Sequence, residues 1–460
     1  MTILILKSLN AIIYPYLHCE DGSLLVSQFF NHHSICLLLD PHPEAGYTNL
    51  LPNLICMFIV FFVPLKAIPY SFALVPIFLA GLSLWRLSIL PSKLNISHPS
   101  SLCLSMFLAL LPLGNAFLNT ALSYSIWNYL LLLIILSFEP LPSKPLYKVI
   151  KLFFMMLLCT SHPGCMILVP IWLWKIYRSD MQGKLFYSIL ILTASLYLIY
   201  FTKPSPTSQN AISLMFNIIP FTFHYIFERV CFQSILGNNL RLILQNANML
   251  WLIWIFSIFL WIPIIIYTLK DKKLTANIYP VFIVVYLMLS MTVFYAIGRN
   301  MPKNAFEPWE HRYGYIQRAF FSLAFIISIA NLKSIKKYFF NKKIITYGVL
   351  ILVGLISLQE KEYNAPFYTK ELGIDAVDFF NKADLIHKKI YLKNQNIIVT
   401  LDRGIWSIYL WIGQPPIGAH LVWQPQQYPT QIFNIIGKSP DTEIIPYHQM
   451  TEWIEKNIPS

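Results

Sequence analysis

Leu50–Val63, L-L-P-N-L-I-C-M-F-I-V-F-F-V, decides how this chain threads. At fourteen residues it is short for a spanning helix, which needs about 20 apolar residues. Pro52 and Pro64 flank it. Its status can be decided by charge. Basic residues cluster at Arg86/Lys93, Lys144/Lys148/Lys151, Lys175/Arg178/Lys184, Lys270/Lys272/Lys273 and Lys333/Lys336/Lys337/Lys342/Lys343. Short basic loops belong on the cytoplasmic side. With 50–63 left out of the spans, all five clusters fall on one side, with sixteen basic residues there and about eight opposite. Counted as a span, it separates Arg86 and Lys93 from the rest. We therefore read 50–63 as an interfacial or re-entrant helix.

Working outward, the apolar runs are 1–17, 69–90, 101–114, 121–138, 148–160, 163–178, 185–201, 249–269, 279–298, 316–333 and 343–358. The chain has 460 residues, is 56% hydrophobic and 12% charged, and has a mean hydropathy of +0.57. Soluble domains of this length do not have that composition. The expected fold is an all-α polytopic membrane protein of about eleven transmembrane helices over 1–358, with a small α/β domain over 359–460. In that tail, N-I-I-V-T-L-D and S-I-Y-L-W-I-G read as strands and E-L-G-I-D-A-V-D-F-F-N-K-A as a helix. The net charge of +13 does not point to nucleic acid, because residues 359–460 hold nine Lys/Arg against eleven Asp/Glu and the excess sits in membrane loops. The threading makes 18–68 and 202–248 long outer loops and places seven of the ten acids before residue 359 outside.

The outer loop before Leu50 is the most polar part of the membrane region. Glu20-Asp21-Gly22 follows the first run, and Asp40-Pro41-His42-Pro43-Glu44-Ala45-Gly46-Tyr47 comes about twenty residues later. Carboxylates at a membrane boundary can act as a general base, or Asp21 and Asp40 can hold a divalent cation such as Mg2+ or Mn2+. An isolated acidic pair can also simply end a helix in solvent. Cys19 and Cys36 flank this region as two thiols or, in an oxidising compartment, as a bridge.

A second constellation spans 299–318: Arg299, Asn300, Lys303, Glu307, Glu310, His311, Arg312, Tyr313 and Arg318. Four of the eight outer basic residues lie here, against the positive-inside trend. Arginine's planar fork suits a phosphate; lipid headgroups or the neighbouring glutamates are alternative partners. Asn115 and Asn119, ahead of Trp127, share a helical face that can bind a sugar or pack on a helix. Intramembrane charge is scarce, with only Lys7 well inside a run, which disfavours a polar transport path.

These elements, in this order, resemble the GT-C superfamily of polyprenyl-phosphate-sugar-dependent membrane glycosyltransferases, and most closely uncharacterised bacterial GT-C-like membrane proteins. The matching pieces are Glu20-Asp21-Gly22, Pro43-Glu44-Ala45-Gly46-Tyr47, Leu50-Leu51-Pro52-Asn53-Leu54, Asn115 to Asn119 with Trp127, and Arg312-Tyr313, over roughly 15–330. Glu44 and Asn53 depart from the pattern, which has tyrosine and a basic residue there. The resemblance implies an inverting transferase in the bacterial inner membrane, with its C-terminal domain outside the cytoplasm. Asp21, with Glu20 next, would be the base or metal carboxylate, and Arg312, with Arg299 or Lys303, would hold the donor phosphate. His311, Tyr313, Glu44, Tyr47, Asn115 and Asn119 would line the substrate site. The implied partners are membrane lipids, a polyprenyl-phosphate-linked sugar and a glycan or lipid acceptor. A lipid or polysaccharide flippase and a non-catalytic scaffold of the same fold are the alternatives.

Overall fold

A computed structural model describes residues 1–15, 25–32, 35–39, 48–94, 98–111, 121–202, 221–270, 284–292, 314–331, 370–390, 397–403, 406–412, 420–424, 432–436 and 443–458, with positions 17 and 96. The described chain is mostly helical. The helices are α1 (Thr2–Lys7), α2 (Leu9–Ile13), α3 (Ser27–His32), α4 (Leu50–Phe62), α5 (Ile68–Lys93), α6 (Ser101–Leu110), α7 (Ile126–Phe138), α8 (Pro145–Cys159), α9 (Val169–Arg178) and α10 (Met181–Phe201). A π-helix (Ile226–Phe232) leads into α11 (Gln233–Asn246), followed by α12 (Leu250–Lys270), α13 (Tyr315–Asn331) and, in the tail, α14 (Lys370–Ile390) and α15 (Met450–Asn457). Among the described residues, three helices are long and apolar enough to cross a membrane: Leu65–Lys93, Met181–Phe201 and Leu250–Thr268. Leu50–Phe62, Ser101–Leu110, Ile126–Phe138 and Tyr315–Ala330 are shorter apolar helices.

The sequence explains where these helices start. Pro opens α8, α5 carries Pro69 in its first turn, and both positions lack an intrahelical N–H partner anyway. Ser100 Oγ accepts from Cys103 N (3.3 Å) to cap α6, and Asp180 Oδ1 accepts from Gly183 N (2.8 Å) to cap α10. Helix α7 is the hub: every residue from Ile126 to Phe138 is buried, as expected of a helix surrounded on all sides. Around it pack side chains from α5, α6, α8, α9, α10 and α13 in one continuous core.

The N-terminal run is not one continuous helix. It breaks at Ser8 into α1 and α2, with Ser8 backbone angles of φ −108° and ψ 16°. Lys7 gives the physical reason for its position: its Nζ donates to the carbonyls of Ala109, Leu110 and Leu111 at 3.2–3.3 Å. These are the C-terminal carbonyls of α6, where a cation satisfies orphan acceptors and opposes the helix dipole.

The bundle has two chemically different ends. At one, Leu50 N donates to Thr160 O (3.4 Å), Leu51 N to Ser161 Oγ (3.2 Å), Thr48 N to Phe201 O (3.1 Å), and Tyr197 Oη to Thr48 O (2.7 Å). The start of α4, the α8–α9 turn and the end of α10 therefore meet. At the other end, Arg86 pairs with Glu139 (2.6 Å), Lys151 and Lys175 reach the Glu139 carbonyl, and Lys148 reaches Gln182 (2.6 Å). Three of the five basic clusters thus gather at a single end. At thirteen residues, α4 is about 20 Å long.

The tail contains strands, as its alternation requires. β1 (Ile397–Arg403) pairs antiparallel with β2 (Trp406–Ile412) and parallel with β5 (Glu443–Pro446). β3 (His420–Gln424) pairs antiparallel with β4 (Ile432–Ile436). The central strand β1 buries Ile397, Ile398, Val399 and Leu401. Phe379, Phe380, Ala383 and Ile386 of α14 share a second core with Leu25, Phe29 and Phe30 of the first loop and with Leu65, Ile68 and Phe72 at the start of α5. The tail and the segment before α5 share this core.

Candidate functional site

The most polar buried ground in the described chain lies where the π-helix and α11 cross α13. The π-helix widens the backbone between two ordinary helical segments, a device common at functional sites. Gly237, inside α11, takes φ 83° and ψ 167°, a conformation open essentially to glycine alone. The kink breaks the helical register between Glu228/Arg229 and Asn238/Arg241, and the two pairs meet.

Glu228 Oε1 accepts from Arg241 Nη1 (2.5 Å) and its Oε2 lies 3.0 Å from His224 Nε2. Arg241 Nη1 also donates to Gln245 Oε1 (2.8 Å), and its Nε to Asn238 Oδ1 (2.9 Å). Asn238 Oδ1 further accepts from Arg229 Nη1 (3.4 Å). From α13, Arg318 Nη1 donates to Arg229 O (3.3 Å). The Arg318 guanidinium lies over Gly314: a methyl group there would sit 2.8 Å from Arg318 Nη1 and 3.2 Å from Tyr225 Oη. One residue on, Tyr315 Oη donates to Asn128 Oδ1 of α7 (2.9 Å). His224 and Phe227 stack on Trp254 of α12, with centroids 5.8 and 5.0 Å apart.

Arg229, Arg241 and Arg318 are 2%, 0% and 0% exposed. Among the described residues, one carboxylate, Glu228, stands in this cluster against three guanidinium groups. Burial first, then the charge of Arg241, pulls Arg229 from its ordinary value down to about 9, with Tyr225 and Glu228 opposing and Arg318 adding to the fall. Bringing three guanidinium groups together in a buried place makes the local potential favour negative charge. Arg241 Nη2 and both amide atoms of Gln317 are buried without a hydrogen-bond partner, as is Ser322 Oγ one turn beyond Arg318 on the same face. A buried donor left unmade costs about 1–3 kcal/mol. A ligand presenting several acceptor oxygens and negative charge would satisfy the donors among them.

Glu20, Asp21, Asp40, Glu44, Tyr47, Asn115, Asn119, Arg299, Lys303, His311, Arg312 and Tyr313 all fall outside the described residues. Of the 299–318 constellation, Arg318 is described, and it joins the buried cluster. Arg229 and Arg241 escaped sequence reasoning as site residues. Their signal was present, since both belong to the outer minority of basic residues in an otherwise apolar segment. Among the described residues, no three His, Cys, Asp or Glu side chains gather to hold a metal.

No family model matches the chain, and no curated protein and no solved structure matches it either.

Proposed function

We propose that the chain is an integral-membrane glycosyltransferase that moves a sugar from a polyprenyl-phosphate donor to a cell-envelope glycan or lipid acceptor. The observation that carries this is the buried cluster of Arg229, Arg241 and Arg318, in which Arg241 Nη2 is left without a hydrogen-bond partner. A phosphate that enters laterally on a lipid tail meets fixed guanidinium donors in a water-poor setting, where charge stabilisation is strongest. As the glycosidic carbon leaves the donor oxygen, negative charge grows on the departing polyprenyl phosphate, and these arginines, with Arg312 and Arg299 or Lys303, oppose it. Asp21 takes the proton of the acceptor hydroxyl as that oxygen forms the new bond.

The accompanying topology is eleven spans in the bacterial inner membrane, with 18–68, 202–248 and the tail on the outer face. The convergence of three basic clusters at one end of the bundle, opposite the Thr48–Thr160–Phe201 end, supports it.

The test is transfer by the full chain reconstituted in lipid vesicles with polyprenyl-phosphate-linked sugars and envelope acceptors, followed by mass spectrometry. Asp21→Asn keeps the protein in the membrane and abolishes transfer; Arg318→Gln lowers it by at least about a hundredfold, the scale of losing one preorganised donor to a developing charge. Undiminished transfer by Asp21→Asn would sink the assignment.

A further inference from the structure

A second charged site lies at the opposite end of the bundle, and it goes beyond the transferase reading. Glu139 caps the C-terminus of α7 and is 6% exposed. Its Oε2 accepts from Arg86 Nη2 (2.6 Å). Its backbone carbonyl accepts from two lysines on different helices, Lys151 Nζ and Lys175 Nζ, each at 3.4 Å; Lys151 also reaches Pro140 O at 3.3 Å. Sharing one acceptor holds the two ammonium groups no more than about 7 Å apart, where like charges repel. Lys93 adds to the same positive field. One carboxylate already bound to Arg86 does not neutralise this group.

The surroundings are those of a membrane boundary. Trp85, Tyr147, Trp174 and Tyr177 are exposed around the cluster, and Trp and Tyr favour the headgroup level. Arg86 lies 6.0 Å from the Trp85 ring centroid, and Lys175 5.3 Å from that of Tyr187. Just beyond the lysines, α8 and α9 expose Val149, Ile150, Phe153 and Leu173. Convergent cations beside an exposed apolar surface match a phosphate that carries acyl chains.

We propose that Arg86, Lys151 and Lys175 form a binding site for the headgroup phosphate of an anionic phospholipid, wedged between α5, α8 and α9 at the basic end of the bundle. The lipid neutralises the paired lysines, and its acyl chains cover the apolar faces of α8 and α9. The chemistry requires only a phosphate; the lipid is favoured because the helices that carry the lysines also expose Val149, Ile150, Phe153 and Leu173.

Native mass spectrometry of the purified full chain with phosphatidylglycerol or phosphatidylcholine tests this. The wild type retains phosphatidylglycerol preferentially, and Lys151→Gln/Lys175→Gln loses that preference by about tenfold or more. Lys151→Arg/Lys175→Arg, which keeps both charges, retains it and guards against loss by misfolding. Millimolar inorganic phosphate leaves the bound lipid in place. Equal retention of both lipids by the wild type, or unchanged retention by the double glutamine variant, overturns the site. Displacement by inorganic phosphate alone overturns its assignment to lipid.

Discussion

Replacing Glu228 by glutamine separates a bound-anion site from a static ion pair. Glu228 is 1% exposed, 2.5 Å from Arg241 Nη1 and 3.0 Å from His224 Nε2. Glu228→Gln keeps the shape and deletes the charge. Breaking a buried pair by removing one partner costs about 3–5 kcal/mol, because the remaining charge stays desolvated. The ligand-free variant should be destabilised by that amount. An incoming phosphate should respond in the opposite direction. At a separation of about 6 Å and an effective dielectric of about 20, a unit charge repels an anion by about 3 kcal/mol, and removing it tightens binding by up to about a hundredfold. The assay is thermal unfolding in detergent micelles across a titration of polyprenyl phosphate. The midpoint of the variant starts lower and rises further than that of the wild type. A variant that loses stability yet gains no affinity would refute the anion-site reasoning, since Glu228 would then merely organise Arg241.

Gly237→Ala places a side chain at φ 83° and should cost about 1–2 kcal/mol; unchanged unfolding would show that the kink is not required. Phe380→Ala, in the core joining the tail to the first loop and α5, should cost about 3–5 kcal/mol and loosen both together; hydrogen exchange should rise in 25–32 as well as in the tail, and a rise confined to the tail would contradict the shared core. Tyr447 donates to Asp378 Oδ2 (2.9 Å) and Asp375 Oδ1 (3.3 Å); burial, then these carboxylates, raises its pKa. A raised folded value means this contribution is whole below the unfolded value of about 10 and is lost as pH climbs through the folded one. Tail stability should therefore fall in strongly alkaline solution, and Tyr447→Phe should remove that part of the dependence.

Parts of this fold were legible because they rest on local patterns. Alternation in 396–402 and 407–413 yields β1 and β2 within a residue or so, and the long apolar runs at 69–90, 185–201 and 249–269 become the three long helices. Charge placement grouped Arg86, Lys151 and Lys175 on one side of the threading, and the three meet at Glu139. The N-terminal break was not legible, because it depends on Lys7 finding carbonyls more than a hundred residues away. Arg241 and Asn238 were missed for a similar reason. Arg241 reaches Glu228, and Asn238 reaches Arg229, across the turn at Gly237, which a helical period does not record. Arg318 was visible as a basic residue on the wrong side of the charge trend. That it forms a buried cluster with Arg229 emerges only from packing.

The most direct test of the central claim is photocrosslinking with a polyprenyl phosphate bearing a photoreactive group on the isoprene unit next to the phosphate. With the reconstituted full chain, label should appear on peptides from 221–246 and 314–331, and polyprenyl phosphate lacking the photoreactive group should compete it away. Label confined to the apolar face of α12, or distributed without competition, would contradict a phosphate site at Arg229, Arg241 and Arg318.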